Sequence, residues 1–226
     1  MGKSTEIASL GEFGLIDRLT KGLGRRNAST LTAAGDDAAV IDLGDRVMLL
    51  TTDMLTEGID FDLSYFPLKH LGYKAVVRGI NDILAMNAKP EQLVVSLGVS
   101  AKISVEALDT LYEGMEAAAN ELGVDIVGGD TTASKDKIAI NVVAIGRAPI
   151  ENIKRRSAAK VGDIVAVTGK LGTSSKGLVD IMFGDLNTVA AKAHRRGQAR
   201  VAEGIWLGTR SEVHAMMDIS DGIASD

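Results

Sequence analysis

Val47-Met48-Leu49-Leu50-Thr51-Thr52-Asp53 opens on four apolar residues and closes on two hydroxyls and a carboxylate. A short apolar run bounded by polar residues reads as a buried strand, here Val47 to Thr52, with the acid delivered at its end. The same reading applies to Glu91–Ser100 and Ile138–Gly146. Helical periods fill the gaps. From Pro67 to Met86, Leu68, Leu71, Ala75, Val76, Ile80 and Ile83 recur at helical spacing behind a proline suited to a first turn. Val105–Leu122 repeats the pattern, with Ser104 placed to cap its start and Gly123 to end it. Val124–Val127 is then a short strand leading into Gly128-Gly129-Asp130. Strands alternating with helices predict an α/β (α+β) chain built on a mixed sheet.

Arg147–Val161 is polar, contains Pro149 and five basic residues, and has no sustained apolar period. It marks an expected boundary between a domain at 1–150 and a second at 151–226. Beyond it the sequence predicts strands at Asp163–Thr168 and Val213–Met217, and helices at Ser174–Phe183 and Ala199–Leu207. The last residue, Asp226, falls where the turn after Asp221 should feed a helix, so the second domain is expected to be incomplete.

A net charge of −5 and a basic run, Arg195-Arg196, too short to supply a basic face argue against a nucleic-acid protein. The absence of cysteine excludes disulfides, thiolate metal sites and a cysteine nucleophile. No apolar run reaches the ~20 residues needed to span a bilayer, and Met1–Glu6 lacks the apolar core of a signal peptide. The expectation is a cytoplasmic protein without membrane or nucleic-acid partners.

Five acidic motifs punctuate the chain: Gly35-Asp36-Asp37, Thr51-Thr52-Asp53, Asn81-Asp82, Gly128-Gly129-Asp130 and Asp218-Ile219-Ser220-Asp221-Gly222. Most stand where an apolar run meets a turn. Singly they are weak, since Gly-Asp-Asp is also a plain turn, Thr-Thr-Asp a strand end, and Asp82 an ordinary solvent-facing helix carboxylate. Carboxylates gathered without basic neighbours resist ionising together, so their repetition points to a cation that binds them. Magnesium takes oxygen ligands, keeps several waters, and is held by one or two carboxylates plus substrate phosphates. The pattern therefore predicts a magnesium–nucleotide site, where positioning and charge neutralisation carry phosphoryl transfer. Gly169-Lys170-Leu171-Gly172-Thr173-Ser174 does not meet the order of a P-loop. His70, His194 and His214 lack ligand-like spacing.

Taken in order, several segments resemble the thiamine-monophosphate kinase family of the aminoimidazole-ribonucleotide-synthetase-like superfamily. They are Gly11–Ile16, G-D-D-A-A-V-I at 35–41, T-T-D-M-L-T-E-G at 51–58, K-H-L-G-Y-K at 69–74, D-I-V-G-G-D-T-T at 125–132, V-T-G-K-L-G at 167–172 and M-D-I-S-D-G at 217–222. The resemblance implies an N-terminal α/β domain that dimerises through its sheet, ATP bound between the two domains, and transfer of the γ-phosphoryl group to thiamine monophosphate. By motif it implies Asp37, Thr51, Thr52, Asp53, Asp82, Asp130, Asp218 and Asp221 as Mg2+ ligands. It also implies Tyr112, Gly129, Asp130, Arg156 and Ser220 as ATP contacts.

Three departures stand out. Asp60, in Glu57-Gly58-Ile59-Asp60-Phe61, occupies the position where the family has a substrate-contacting histidine. An aspartate facing a phosphate repels it unless a cation intervenes. Gly79-Ile80-Asn81-Asp82 replaces N-L-S-D, and a G-G-E-D-Y-E stretch is absent. Two sister readings remain: selenophosphate synthesis, disfavoured because no cysteine precedes the first glycine motif, and aminoimidazole-ribonucleotide synthesis, disfavoured because Asp53–Gly58 replaces D-G-V-G-T-K. A non-catalytic nucleotide-binding module is the alternative from another class.

Overall fold

The structure, a computed structural model, describes residues 9–224. After a first helix, α1 (Gly11–Thr20), the chain lays down β1 (Thr30–Thr32), β2 (Ala39–Asp42) and β3 (Val47–Thr56) as antiparallel neighbours. Then follow α2 (Leu68–Ala85), β4 (Lys89–Ser100), α3 (Val105–Leu122), β5 (Asp125–Ser134) and β6 (Ala139–Ala148). The six strands form one mixed sheet in the order β1-β2-β3-β6-β4-β5. Only β4 and β5 run parallel, joined through α3.

One face of the sheet is buried by α2 and α3. Along β6 the helix-facing residues Ile140, Val142 and Ala144 are fully buried and alternate with partly exposed ones. Leu49 and Leu55 of β3 meet Leu71, Ile80 and Ile83 of α2 in the same core, each fully buried side chain contributing roughly 1.5–3 kcal/mol. The helices touch backbone to backbone. A Cβ at Gly72 would lie 1.9 Å from the Leu111 carbonyl oxygen, and one at Gly114 would lie 1.9 Å from that of Lys69.

The expected helix ends are met closely on α3. The Ser104 hydroxyl accepts a hydrogen bond from the Ala107 N–H at 3.2 Å, and Gly123 closes the helix at φ +68°. Pro67 directly precedes α2, as its fixed φ favours.

After Ala148 the described chain carries two short 3-10 turns (Ile150–Asn152 and Arg156–Ala158), then α4 (Thr173–Met182), α5 (Val189–Arg196) and α6 (Val201–Gly208). The expected strands at 163–168 and 213–217 do not form. The two segments do meet, since His214 Nδ1 lies 2.9 Å from Asp163 Oδ1. A strand nevertheless exists only with a ladder partner, and Ile164 and Val165 are left 92% and 81% exposed. The helices α1 and α5 and the strands β1 and β2 are additions to the expected elements, and α5 is the addition among the C-terminal helices. Its signal was present in Thr188, whose hydroxyl accepts from the Ala191 N–H at 3.0 Å, and in Gly197 at its end.

Candidate functional site

A polar seam runs between β3 and α2. Odd-numbered residues of β3 face the helices, so Thr51 and Asp53 point inward with Leu49 and Leu55. On α2, His70, Lys74, Arg78 and Asp82 recur every four residues and share one side of the helix. Strand and helix then pair residue by residue. The Thr51 hydroxyl donates to Asp82 Oδ2 at 2.6 Å. Arg78 donates from Nε to Asp53 Oδ2 at 2.9 Å and from Nη2 to Asp53 Oδ1 at 3.1 Å.

The third arm of Arg78 answers the charge problem at position 60. Its Nη1 donates to Asp60 Oδ1 at 3.1 Å, while Asp60 Oδ2 accepts the Thr56 N–H at 2.8 Å. The cation that an aspartate needs there is supplied from the same chain. Arg78 belongs to an apolar-looking helix segment, and only its place one turn before Asp82 hinted at this role.

At the other end of the seam lies a denser group of acids. The Asp37 carboxylate is only 1% exposed and pairs with Arg156, which also approaches Asp36. Burial pushes the Asp37 carboxyl up to about 6 against the opposing pull of Arg156, with Asp218 and Asp36 adding to the rise. Burial likewise raises Asp82 to about 7, against the Thr51 hydrogen bond, with Asp218, Asp37 and Asp53 contributing. Asp53 is raised by burial, with Arg78 opposing. Asp37, Asp82 and Asp218 thus sense one another's charge. The sequence-level premise that these acids lack basic neighbours is corrected: Arg156 and Arg78 stand beside them.

Two of the motifs also lie inside strands instead of at their ends. Thr51-Thr52-Asp53 is within β3 and Gly128-Gly129-Asp130 within β5. Alternation separates the adjacent threonines: Thr51 faces Asp82, whereas the Thr52 hydroxyl donates to Asn141 Oδ1 at 2.9 Å on the outer face. Asp53, Val142, Val95 and Gly129 form one row across β3-β6-β4-β5. Three strand spacings therefore place Asp53 and Gly129 about 14 Å apart.

Gly129, Asp130 and Tyr112 line a separate open hollow at the β5 edge. A Cβ at Gly129 would stand 1.7 Å from the Val95 carbonyl oxygen, so the strand tolerates only glycine there. Asp221 and Ser220 are exposed, with the Ser220 hydroxyl 3.1 Å from Asp221 Oδ2.

The acids at the Asp37 end suit a hard divalent cation. Asp37 Oδ2 is buried without a hydrogen-bond partner, and the nearby groups offer carboxylate oxygen, which magnesium prefers. Among the described residues, no three acidic or histidine side chains converge enough to enclose an ion. Such an open set relies on water and substrate oxygens for the remaining positions.

Residues 35–148 match the family described as AIR synthase related protein, N-terminal domain. The thiamine-monophosphate kinase of Mycobacterium tuberculosis is 34% identical over 238 residues, covering 99% of this chain and 67% of that protein. That of Bacillus subtilis is 33% identical, covering 95% and 68%. The chain belongs to the thiamine-monophosphate kinase family. Among solved structures, AaThiL complexed with AMPPCP and TMP superposes with a TM-score of 0.89 at 31% identity, covering all of this chain and 71% of that one. Against the family's pattern, the structure brings Asp37, Thr51, Asp53, Asp82, Asp218 and Arg156 to one side of the sheet. It leaves Asp130, Gly129 and Tyr112 at the far edge strand. Arg78 and Lys74 were absent from the expected site residues, and both belong to its seam.

Proposed function

We propose that this chain catalyses the magnesium-dependent transfer of the ATP γ-phosphoryl group to thiamine monophosphate, giving thiamine diphosphate and ADP. The observation that carries the reading is the set of buried, mutually repelling carboxylates at Asp37 and Asp82, with Asp37 Oδ2 unsatisfied. Family membership and the likeness to AaThiL with AMPPCP and TMP support it. In the reaction, an oxygen of the acceptor phosphate forms a bond to the γ-phosphorus. The bond from that phosphorus to the bridging oxygen breaks, and the electron pair leaves with ADP.

Asp37, Asp82 and Asp218, with Thr51, Thr52, Asp53, Asp130 and Asp221, are the proposed magnesium-binding residues. Bound there, magnesium would neutralise phosphate charge as it develops. Asp82 and Asp37 are held by Thr51 and Arg156 until then. Arg156 exchanges Asp37 for phosphate oxygens of the nucleotide, which Tyr112, Gly129, Asp130 and Ser220 also contact. Asp60 acts on the substrate side through Arg78.

The 14 Å between Asp53 and the Gly129–Asp130 edge within one chain favours a homodimer, in which a second copy presents its own edge to this site. Exposed Met54 and Val127 offer apolar surface for such a contact. The domain division is proposed at residue 150, close to where the main core ends at Ile153. No helix among the described residues is long and apolar enough to cross a membrane.

The test is mass-spectrometric detection of thiamine diphosphate from ATP, magnesium and thiamine monophosphate, with and without chelator. Chelator-sensitive product is expected. Retained ATP binding with no product would instead identify a non-catalytic nucleotide-binding module.

A further inference from the structure

Lys74 is a cation that the ion pairs of the described residues leave out. Its ammonium lies 5.1 Å from the centroid of the Phe66 ring, which is 1% exposed, and Phe66 meets His194 edge-on at 6.1 Å. His194 Nδ1 is 3.0 Å from the Ser174 hydroxyl. Lys74 thus stands where α2 packs against α5, with Ser174 of α4 joined through His194. It makes no ion pair among the described residues, although burial and Arg78 lower it to about 8.

The carboxylates that Lys74 senses, Asp60 and Asp53, are already committed. Arg78 takes three of their four oxygens, and the Thr56 N–H takes the fourth. Other nearby groups are cationic or neutral. Burial and Lys74 depress His194 to about 4, which leaves its ring uncharged, and Arg195 lies close to both His194 and His70. Phe66 supplies a cation–π attraction. It supplies no hydrogen-bond acceptor for the three ammonium N–H donors. The Lys74 ammonium and the two uncommitted N–H groups of Arg78 form a donor-rich set, flanked by the Ser174 hydroxyl and the His194 ring, which bond each other.

We propose that Lys74 binds the phosphate monoester of the acceptor and so contributes to choosing phosphorylated over unphosphorylated acceptors. The inference rests on the phosphotransfer reading. It places the acceptor phosphate one helical turn from Arg78, beside the carboxylate seam and away from the Gly129–Asp130 edge. A monoester dianion matches the donors, since it carries three terminal oxygens and up to two charges.

Competitive acylation of the unmodified chain at pH 8, read by peptide mass spectrometry, tests it directly. Inorganic phosphate and thiamine monophosphate should each slow Lys74 labelling at least five-fold, with Lys69 as the internal reference and AMPPCP alone giving no protection. In parallel, Lys74→Gln should raise the acceptor KM at least ten-fold while the ATP KM stays within two-fold, and Lys74→Arg should recover most of the loss. Labelling unaffected by either phosphate ligand, protection by AMPPCP alone, or an unchanged acceptor KM in Lys74→Gln overturns the assignment. If the wild-type chain forms no thiamine diphosphate, the kinase reading falls, and protection by inorganic phosphate still decides whether Lys74 is an anion site.

Discussion

Arg78 grips Asp53 with two parallel hydrogen bonds of 2.9 and 3.1 Å and reaches Asp60 with a third at 3.1 Å. One guanidinium thereby serves two acids, and its fork geometry is what a lysine at the same position lacks. The seam owes its order to this residue. An acid at position 60 is tolerated because its charge is answered before any ligand arrives.

Replacing Arg78 with Met should therefore leave two partly buried carboxylates without their cation. The expected cost is about 2 kcal/mol, less than for a fully buried pair because the groups keep some solvent. Urea unfolding measures it. Adding Asp53→Asn to Arg78→Met should return part of the loss; equal stability of the two variants would show that the pair is not coupled.

Asp37 and Asp82 set a pH dependence whose sign is opposite to that of ordinary salt-bridged acids. Their folded-state values of about 6 and about 7 lie above the unfolded value near 3.8. The folded chain therefore holds more protons between those limits, and stability falls as pH rises from about 4 to about 7. Thermal unfolding of the magnesium-free chain should show a declining Tm over that window relative to the Asp37→Asn/Asp82→Asn variant. Saturating magnesium should flatten the difference, because a bound cation favours the ionised carboxylates.

Asp82→Asn alone should separate function from folding. The amide keeps a partner for the Thr51 hydroxyl and removes a charge that burial disfavours. Stability at pH 8 should stay level or rise, while turnover falls at least a hundred-fold. Unchanged turnover would remove Asp82 from the proposed magnesium set.

Gly114→Ala probes the helix layer that positions the seam. The added Cβ would meet the Lys69 carbonyl oxygen at 1.9 Å, so α2 and α3 must part. Overpacking of this kind costs about 3 kcal/mol, and the displacement should also weaken nucleotide binding measured by calorimetry. By contrast Ser104→Ala, at the exposed start of α3, should cost only about 1 kcal/mol and leave binding untouched.

Local chemistry in the sequence determined α2, α3, α4 and α6 and most of the sheet. The apolar period, Ser104 and Gly123 specify α3 to the residue, and the apolar runs locate β3, β4 and β6, because a face to be buried is written every second or fourth residue. The acidic motifs were legible for the same reason, each being contiguous. Tertiary structure decided which charges meet. Arg78 reaches Asp53 across 25 residues and Arg156 reaches Asp37 across 119, and no local period encodes such pairs. Strand order alone set Asp130 three strands from Asp53. It also left 163–168 and 213–217 without ladders, since a strand is completed only by a neighbour that supplies its hydrogen bonds.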